Sequence, residues 1–313
     1  MPSTPLVAGV PLADMTDSGS QSASALREAA DIPASYGGFG LDLGDAPDRG
    51  TPPERRRVAL LARALESEVI PRLVLARHSS GAVTRDGADQ PGPGADEVEA
   101  MVNAVLRGDL AGAGALVAQQ RARNLPLERI YLELLAPVAR RLGVMWQEDR
   151  CDFTSVTIGL CCLQQIVLEN SHAFGPRPGR RDTERRILLA PVPGEQHSFG
   201  LLMVGEFFRR QGWDVCSGTG ASARELVATA RKQWFSMVGF SLSCETRLDT
   251  LAQLIREIRR ASRNPHLGVM VGGQLFAERP ELAALVGADA TASDGQQAVL
   301  KAETLLALLV QEA

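Results

Sequence analysis

Apolar residues recur along this chain with two different periods, and the change from one to the other divides it. From residue 54 to residue 174 the spacing is helical. Glu54 to His78 predicts a helix broken near Pro71, and residues 79 to 94, carrying Gly87, Pro91, Gly92, Pro93 and Gly94, predict a linker. Asp96 to Leu106 and Leu110 to Arg123 predict two short helices meeting at Gly108. Leu127, Ile130, Tyr131, Leu134, Val138 and Leu142 repeat on one helical face, and Val156, Gly159, Leu160, Leu163 and Val167 on another. Such stripes can be buried only against one another, so a bundle of about four helices ending near Phe174 is expected.

Past a proline- and arginine-rich hinge the pattern changes. Short apolar runs at 187–193, 213–216, 236–241, 267–272 and 287–291 alternate with helical patterns at 197–211, 221–234, 246–262, 278–285 and 294–311. Strands alternating with helices at this period predict a parallel, flavodoxin-like (Rossmann-type) sheet. Its ligand crevice belongs at the carboxyl ends of the strands. The expected layout is an arm over 1–52, a helical bundle over 53–174, a hinge over 175–186 and an α/β domain over 187–313, an α plus α/β fold.

The 313 residues, 45% hydrophobic with few aromatics, are enough for one or two buried cores filled by Leu, Ala and Val. No apolar stretch reaches the roughly 18 residues of a membrane span, and the first residues lack the basic start of a signal peptide, so the chain reads as cytoplasmic with no membrane partner. The cysteines (151, 161, 162, 216 and 244) are odd in number and show no C-x-x-C spacing, which argues against a disulfide framework or zinc site. Burial of at least one of the adjacent Cys161 and Cys162 is favoured over a redox role. The net charge of −4 lies mainly in residues 1–50, which hold seven acidic and two basic side chains. Charge alone therefore disfavours direct nucleic-acid binding. Rich in Ser, Gly, Ala, Pro and Asp, the arm reads as disordered. Its anchors Tyr36, Phe39 and Leu41 leave open a segment that docks on a partner or closes over a ligand.

Candidate chemistry gathers at successive strand ends. Glu195-Gln196-His197-Ser198-Phe199-Gly200 follows the first apolar run, putting an imidazole beside a carboxylate that can accept its second ring proton. Gly200 lets a bulky partner approach. Ser241-Leu242-Ser243 ends another run, and Gly272-Gly273 a third. A lone loop histidine is more often solvated or structural, but three such ends in order suggest one long cavity at the sheet edge. In the bundle, Trp146 sits where one helix ends and the next begins, either as a corner of the core or as a lid over a ligand.

These elements, E-x-H-x-x-G, S-x-S and G-G, resemble the D-x-H-x-x-G, S-x-L and G-G signature of the cobalamin-binding domain of methionine synthase, corrinoid methyl carriers and cobalamin photoreceptors. The resemblance covers about residues 185–312. It implies cobalamin bound base-off, with His197 replacing the cofactor's dimethylbenzimidazole as lower axial ligand to cobalt, and the nucleotide tail threading past Ser241, Gly272 and Gly273. Glu68 to Leu73 followed by Trp146 to Arg150 resembles the helical domain of cobalamin light sensors, and the longer run Trp146 to Gln165, with Asp149-Arg150-Cys151-Asp152-Phe153 and Thr157-Ile158-Gly159-Leu160, is similar to the AerR/PpaA group of cobalamin antirepressors in photosynthetic bacteria. That likeness spans about residues 54–312. It implies a light-responsive regulator, not an enzyme, that relieves a redox-responsive helix-turn-helix repressor (CrtJ/PpsR-like) of photosystem genes without strong DNA binding of its own. The alternative is a corrinoid methyl carrier serving a methyltransferase.

The chain departs from the resembled pattern at three places. Glu195 stands where the wider family has Asp. Val156 and Thr157 stand where light sensors using adenosylcobalamin have Glu and His. Arg247 stands at the position matching the serine that completes a proton relay in methionine synthase, and is expected to lie near Glu195 and hold that carboxylate ionised.

Overall fold

The computed structural model describes residues 91–175 and 185–311. The expectations for the arm, for the helix over 54–78 and for most of the linker and hinge lie outside these residues. In the bundle, α1 (Ala95–Leu106), α2 (Leu110–Ala122), α3 (Leu127–Ile130), α4 (Ala136–Gln147) and α5 (Phe153–Phe174) follow one another. Gly108, at φ 69°, turns the chain between α1 and α2. Carboxylates cap the helix starts: Asp109 accepts from Gly112 N at 2.8 Å and Asp152 from Ser155 N at 2.7 Å.

Between α3 and α4 lies a feature that apolar spacing does not reveal, a π turn over Tyr131–Leu135 in which Ala136 N donates to Tyr131 O. Pro137 follows directly, near the start of α4. A proline ring clashes with the carbonyl four residues back, here Glu133, and the widened turn keeps the helix continuous past that clash.

The second half is β1 (Arg186–Pro191), α6 (Phe199–Arg210), β2 (Asp214–Ser217), α7 (Ala223–Lys232), β3 (Met237–Ser241), α8 (Leu248–Ala261), β4 (Gly268–Gly272), α9 (Gln274–Glu278), α10 (Leu282–Leu285), β5 (Ala290–Ala292) and α11 (Gly295–Gln311). The five strands form one parallel sheet in the order β2-β1-β3-β4-β5. This is the flavodoxin-like order, whose switch point lies between β1 and β3. The α plus α/β architecture expected from the sequence is the one observed. Two elements differ in detail. The single helix expected over 278–285 is two short ones interrupted around Pro280, and the fifth strand starts later than expected because Gly287, at φ 82°, is a turn.

Side chains alternate across the sheet as the strand repeat requires. Leu188, Ala190, Val238, Phe240, Val269 and Val271 enter a core shared with α7 to α10. Ile187, Leu189, Met237 and Met270 enter the other, which continues through α6 and α11 into the bundle without a break. At that junction Tyr131 stacks on Phe174 at 4.7 Å, Phe174 meets Phe207 edge-on at 5.2 Å, and the Arg210 guanidinium sits 5.0 Å over Phe174. Ser171 donates to the buried Glu206 at 2.7 Å, and Arg210 pairs with Glu128. Bundle and sheet are thus two parts of one core.

Ser171 and Phe174, in the last turn of α5, meet Glu206 and Phe207 of α6.

Phe174→Ala should cost about 3–5 kcal/mol, since its ring is fully buried where the halves meet. Denaturation followed by far-ultraviolet circular dichroism and by tryptophan fluorescence should shift by the same amount. A shift confined to one probe would mean that the halves unfold separately.

Candidate functional site

The loop after β1 is bound to the end of β3 before any functional side chain is considered. Val192 N donates to Ser241 O at 3.1 Å, Gly194 turns the chain at φ 85°, and Glu195 N closes the turn on Val192 O at 2.8 Å. Glu195 is thereby directed inward. One carboxylate oxygen accepts from His197 N at 3.0 Å and from His197 Nδ1 at 2.6 Å; the other accepts from Ser243 N at 2.8 Å and Ser243 Oγ at 2.6 Å. Its side chain is only 3% exposed, whereas that of His197 is 69% exposed.

Burial alone would push the Glu195 carboxyl up, but the hydrogen bonds from His197 and Ser243 outweigh it and hold the group far below the usual carboxylate range. The hydrogen bond to Glu195 raises the His197 imidazole above its ordinary value, against the opposing effects of burial and of the Arg247 cation. With Nδ1 donating to an ionised carboxylate, the ring's orientation is fixed and Nε2 faces outward. A neutral imidazole held this way is a nitrogen ligand for a transition metal.

The sequence places Ser243 correctly at the strand end but does not reveal its role. It is the third member of the Glu195–His197 cluster, with Oγ also 3.0 Å from His197 Nδ1. Arg247 is not the group that holds Glu195. Its guanidinium donates to Cys244 Sγ at 3.3 Å and lies beside Gly194, because the short helical turn Glu245–Arg247 directs it along the loop. The departure from S-x-L to S-x-S was the available signal, since a hydroxyl in place of an isobutyl group supplies a donor where the carboxylate needs one.

Ser241 ends β3 opposite Gly272 of β4, and its buried hydroxyl has no hydrogen-bond partner. A buried hydroxyl is rarely left unpaired, and this one lies at the crevice edge where a polar ligand segment would satisfy it. Gly200 is exposed in the first turn of α6, with nothing within 4 Å of the position a Cβ would take. Gly273 differs. At φ 100° it is left-handed, and a Cβ there would overlap the Leu242 carbonyl oxygen, so the fold itself requires glycine.

Trp146 lies within the last turn of α4 rather than between helices and is 36% exposed. Phe153, 60% exposed, starts α5, and Ile158, also exposed, lies beside Gly108 of the α1–α2 turn. Apolar spacing alone could not separate Phe153 and Ile158 from core positions. Cys162 is buried and Cys161 exposed. Among the described residues no helix is long and apolar enough to cross a membrane, and no cluster of three or more His, Cys, Asp or Glu could hold a metal. A corrin supplies four nitrogens of its own, so a site for it does not need a cluster of protein donors. The exposed Nε2, the unpaired Ser241 hydroxyl and the open space at Gly200 fit such a group.

Residues 185–302 match the B12 binding domain, and residues 97–159 match a second model of the same description. These matches support a cobalamin-binding family for the chain. Among relatives, it is similar to an uncharacterized 20.5 kDa protein in the bchF-crtJ intergenic region of Rhodobacter capsulatus, 29% identical over 183 residues, covering 56% of this chain and 90% of the relative. It is also similar to a dimethylamine corrinoid protein of Methanosarcina barkeri, 27% identical over 158 residues, covering 49% of this chain and 68% of that one. In fold it resembles the Methanosarcina barkeri monomethylamine corrinoid protein, with a TM-score of 0.56 at 15% identity over 68% of this chain and 98% of the other.

The two glycines should separate in a melting experiment on cofactor-free protein. Gly273→Ala should destabilise by roughly 1–3 kcal/mol through backbone strain and overlap. Gly200→Ala should leave the melting temperature unchanged or slightly raised, alanine being the better helix former. Equal loss in both would show that Gly200 also serves the fold.

Proposed function

We propose that the protein binds cobalamin base-off, with His197 as lower axial ligand held by Glu195 and Ser243, and acts as a light-responsive antirepressor on a helix-turn-helix repressor of photosystem genes. The observation that carries the cofactor reading is the outward Nε2 of a histidine whose Nδ1 is tied to a buried carboxylate. On this reading Ser241, Gly272 and Gly273 border the path of the nucleotide tail, and Gly200 leaves room for the corrin. Trp146 covers the upper face and excludes water from it. Bound cobalamin supplies a cobalt centre whose upper ligand can be exchanged or, when alkyl, released by light. The chain's own part is to bind, orient and shield the cofactor, and the protein is not itself an enzyme.

The regulatory part is supported by the similarity to the protein from the bchF-crtJ region and by the run Trp146 to Gln165. The partner is a CrtJ/PpsR-like repressor, bound in the cytoplasm. A second reading, a corrinoid methyl carrier, is favoured by the dimethylamine corrinoid relatives.

His197→Ala should weaken cobalamin binding more than Glu195→Gln, for which loss of a supporting hydrogen bond typically costs about 10–100-fold. Absorption titration measures both, and a bound-cobalamin spectrum unchanged by His197→Ala would remove the axial assignment. For the regulatory reading, the repressor's retention on DNA should fall when loaded protein is added in one illumination state only. Equal retention with cofactor-free, dark and illuminated protein would overturn it, and efficient methyl transfer from loaded methylcobalamin to a thiol acceptor would establish the carrier.

A further inference from the structure

Many of the described arginines are neutralised within the protein. Arg123, Arg129, Arg185, Arg186, Arg209, Arg210, Arg259 and Arg279 each pair with a carboxylate of the protein. On α7 and α8 the pattern is different. Arg224, Arg231, Lys232, Arg256, Arg260 and Arg263 are exposed, and none pairs with a carboxylate. Neighbouring acids are engaged elsewhere: Glu225 caps α7 through Ser222, Glu257 accepts from Gln253, and Asp289 is held by Arg259 and Val269 N. Arg263 donates to the Lys232 carbonyl at 3.3 Å, which brings the carboxyl ends of the two helices together. Trp234, just beyond α7, is 37% exposed at this corner.

Cations at a helix carboxyl end are often explained by the helix dipole. That accounts for Arg231, Lys232 and Arg260. It does not account for Arg224, which lies in the first turn of α7 where a cation is disfavoured, or for Arg256 in the middle of α8.

We propose that the α7–α8 face, with Trp234 as its apolar anchor, is a docking surface for an acidic, carboxylate-rich segment of a partner protein. The composition favours a protein over a nucleic acid. Five of the six cations are arginine, which grips a carboxylate with two parallel hydrogen bonds, and arginine beside an exposed tryptophan is typical of protein interfaces, where lysine is depleted. The chain as a whole carries a net charge of −4, which disfavours a long polyanion but not a short acidic segment seated on this face. The surface stands independently of the cofactor reading.

The test uses the full chain and a fluorescein-labelled helical peptide carrying glutamate at i, i+4 positions, with a glutamine-for-glutamate peptide as control, followed by fluorescence anisotropy. The acidic peptide should bind at low salt and the control should not, and binding should weaken as salt screens the ion pairs. The double variant R256E/R260E should weaken it by at least about 10-fold, as expected when attraction becomes like-charge repulsion. Both substitutions are at exposed positions, and circular dichroism checks that the fold is intact; W234A, measured separately, should also weaken binding. Equal binding of the two peptides, or wild-type binding by R256E/R260E, would overturn the proposal, as would tighter binding of a 20-base-pair DNA duplex than of the acidic peptide.

Discussion

A buried carboxylate is costly unless hydrogen bonds replace the water it loses, and the site is organised around that constraint at Glu195. Its two oxygens take four donors, two from His197 and two from Ser243. Those donors come from loops after different strands, and only adjacent parallel strands whose connections diverge bring two such loops together with a crevice between them. The switch point of the sheet is therefore a requirement of the carboxylate's chemistry as well as the place where a ligand fits. Because both loops are fixed by backbone bonds, the imidazole is oriented before any metal arrives.

The same economy governs the junction between bundle and sheet. Tyr131, Phe174 and Phe207 form one aromatic stack, with Glu206 and Arg210 holding its polar edge. Residues 175–186 read in sequence as a hinge, but the cores on either side are continuous, so rocking about this end would separate packed aromatic rings.

What could be read from the sequence follows from which physical signals are local. Alternation of short apolar runs with amphipathic segments is local, and it predicts the strands to within a few residues except at β5, where a glycine turn looks like the start of a strand. The pairing of Glu195 with His197 is also local, two residues apart. The partnership of Glu195 with Ser243, across 48 residues, is not, and neither is the direction of Arg247, which depends on a short helical turn after β3. Gly273 shows the converse. Its glycine is visible in the sequence as a possible space for a ligand, while the structure assigns it to backbone conformation and to the Leu242 carbonyl.

On the proposed regulatory reading, these constraints limit where a response to cofactor can arise. A ligand shifts a conformational equilibrium only by binding two states with different affinity. The loop carrying His197 is held by four hydrogen bonds to one carboxylate, and the lower junction by a shared core, so neither offers two arrangements of similar energy. The end of α4 is where that reading puts the difference: Trp146, 36% exposed, would gain a partner with a corrin beneath it and lose it when the space is water. A methyl carrier would have to expose the same face to reach its partner enzyme. The two readings therefore share that face and differ in what meets it, a reactive centre in one case and a protein surface in the other.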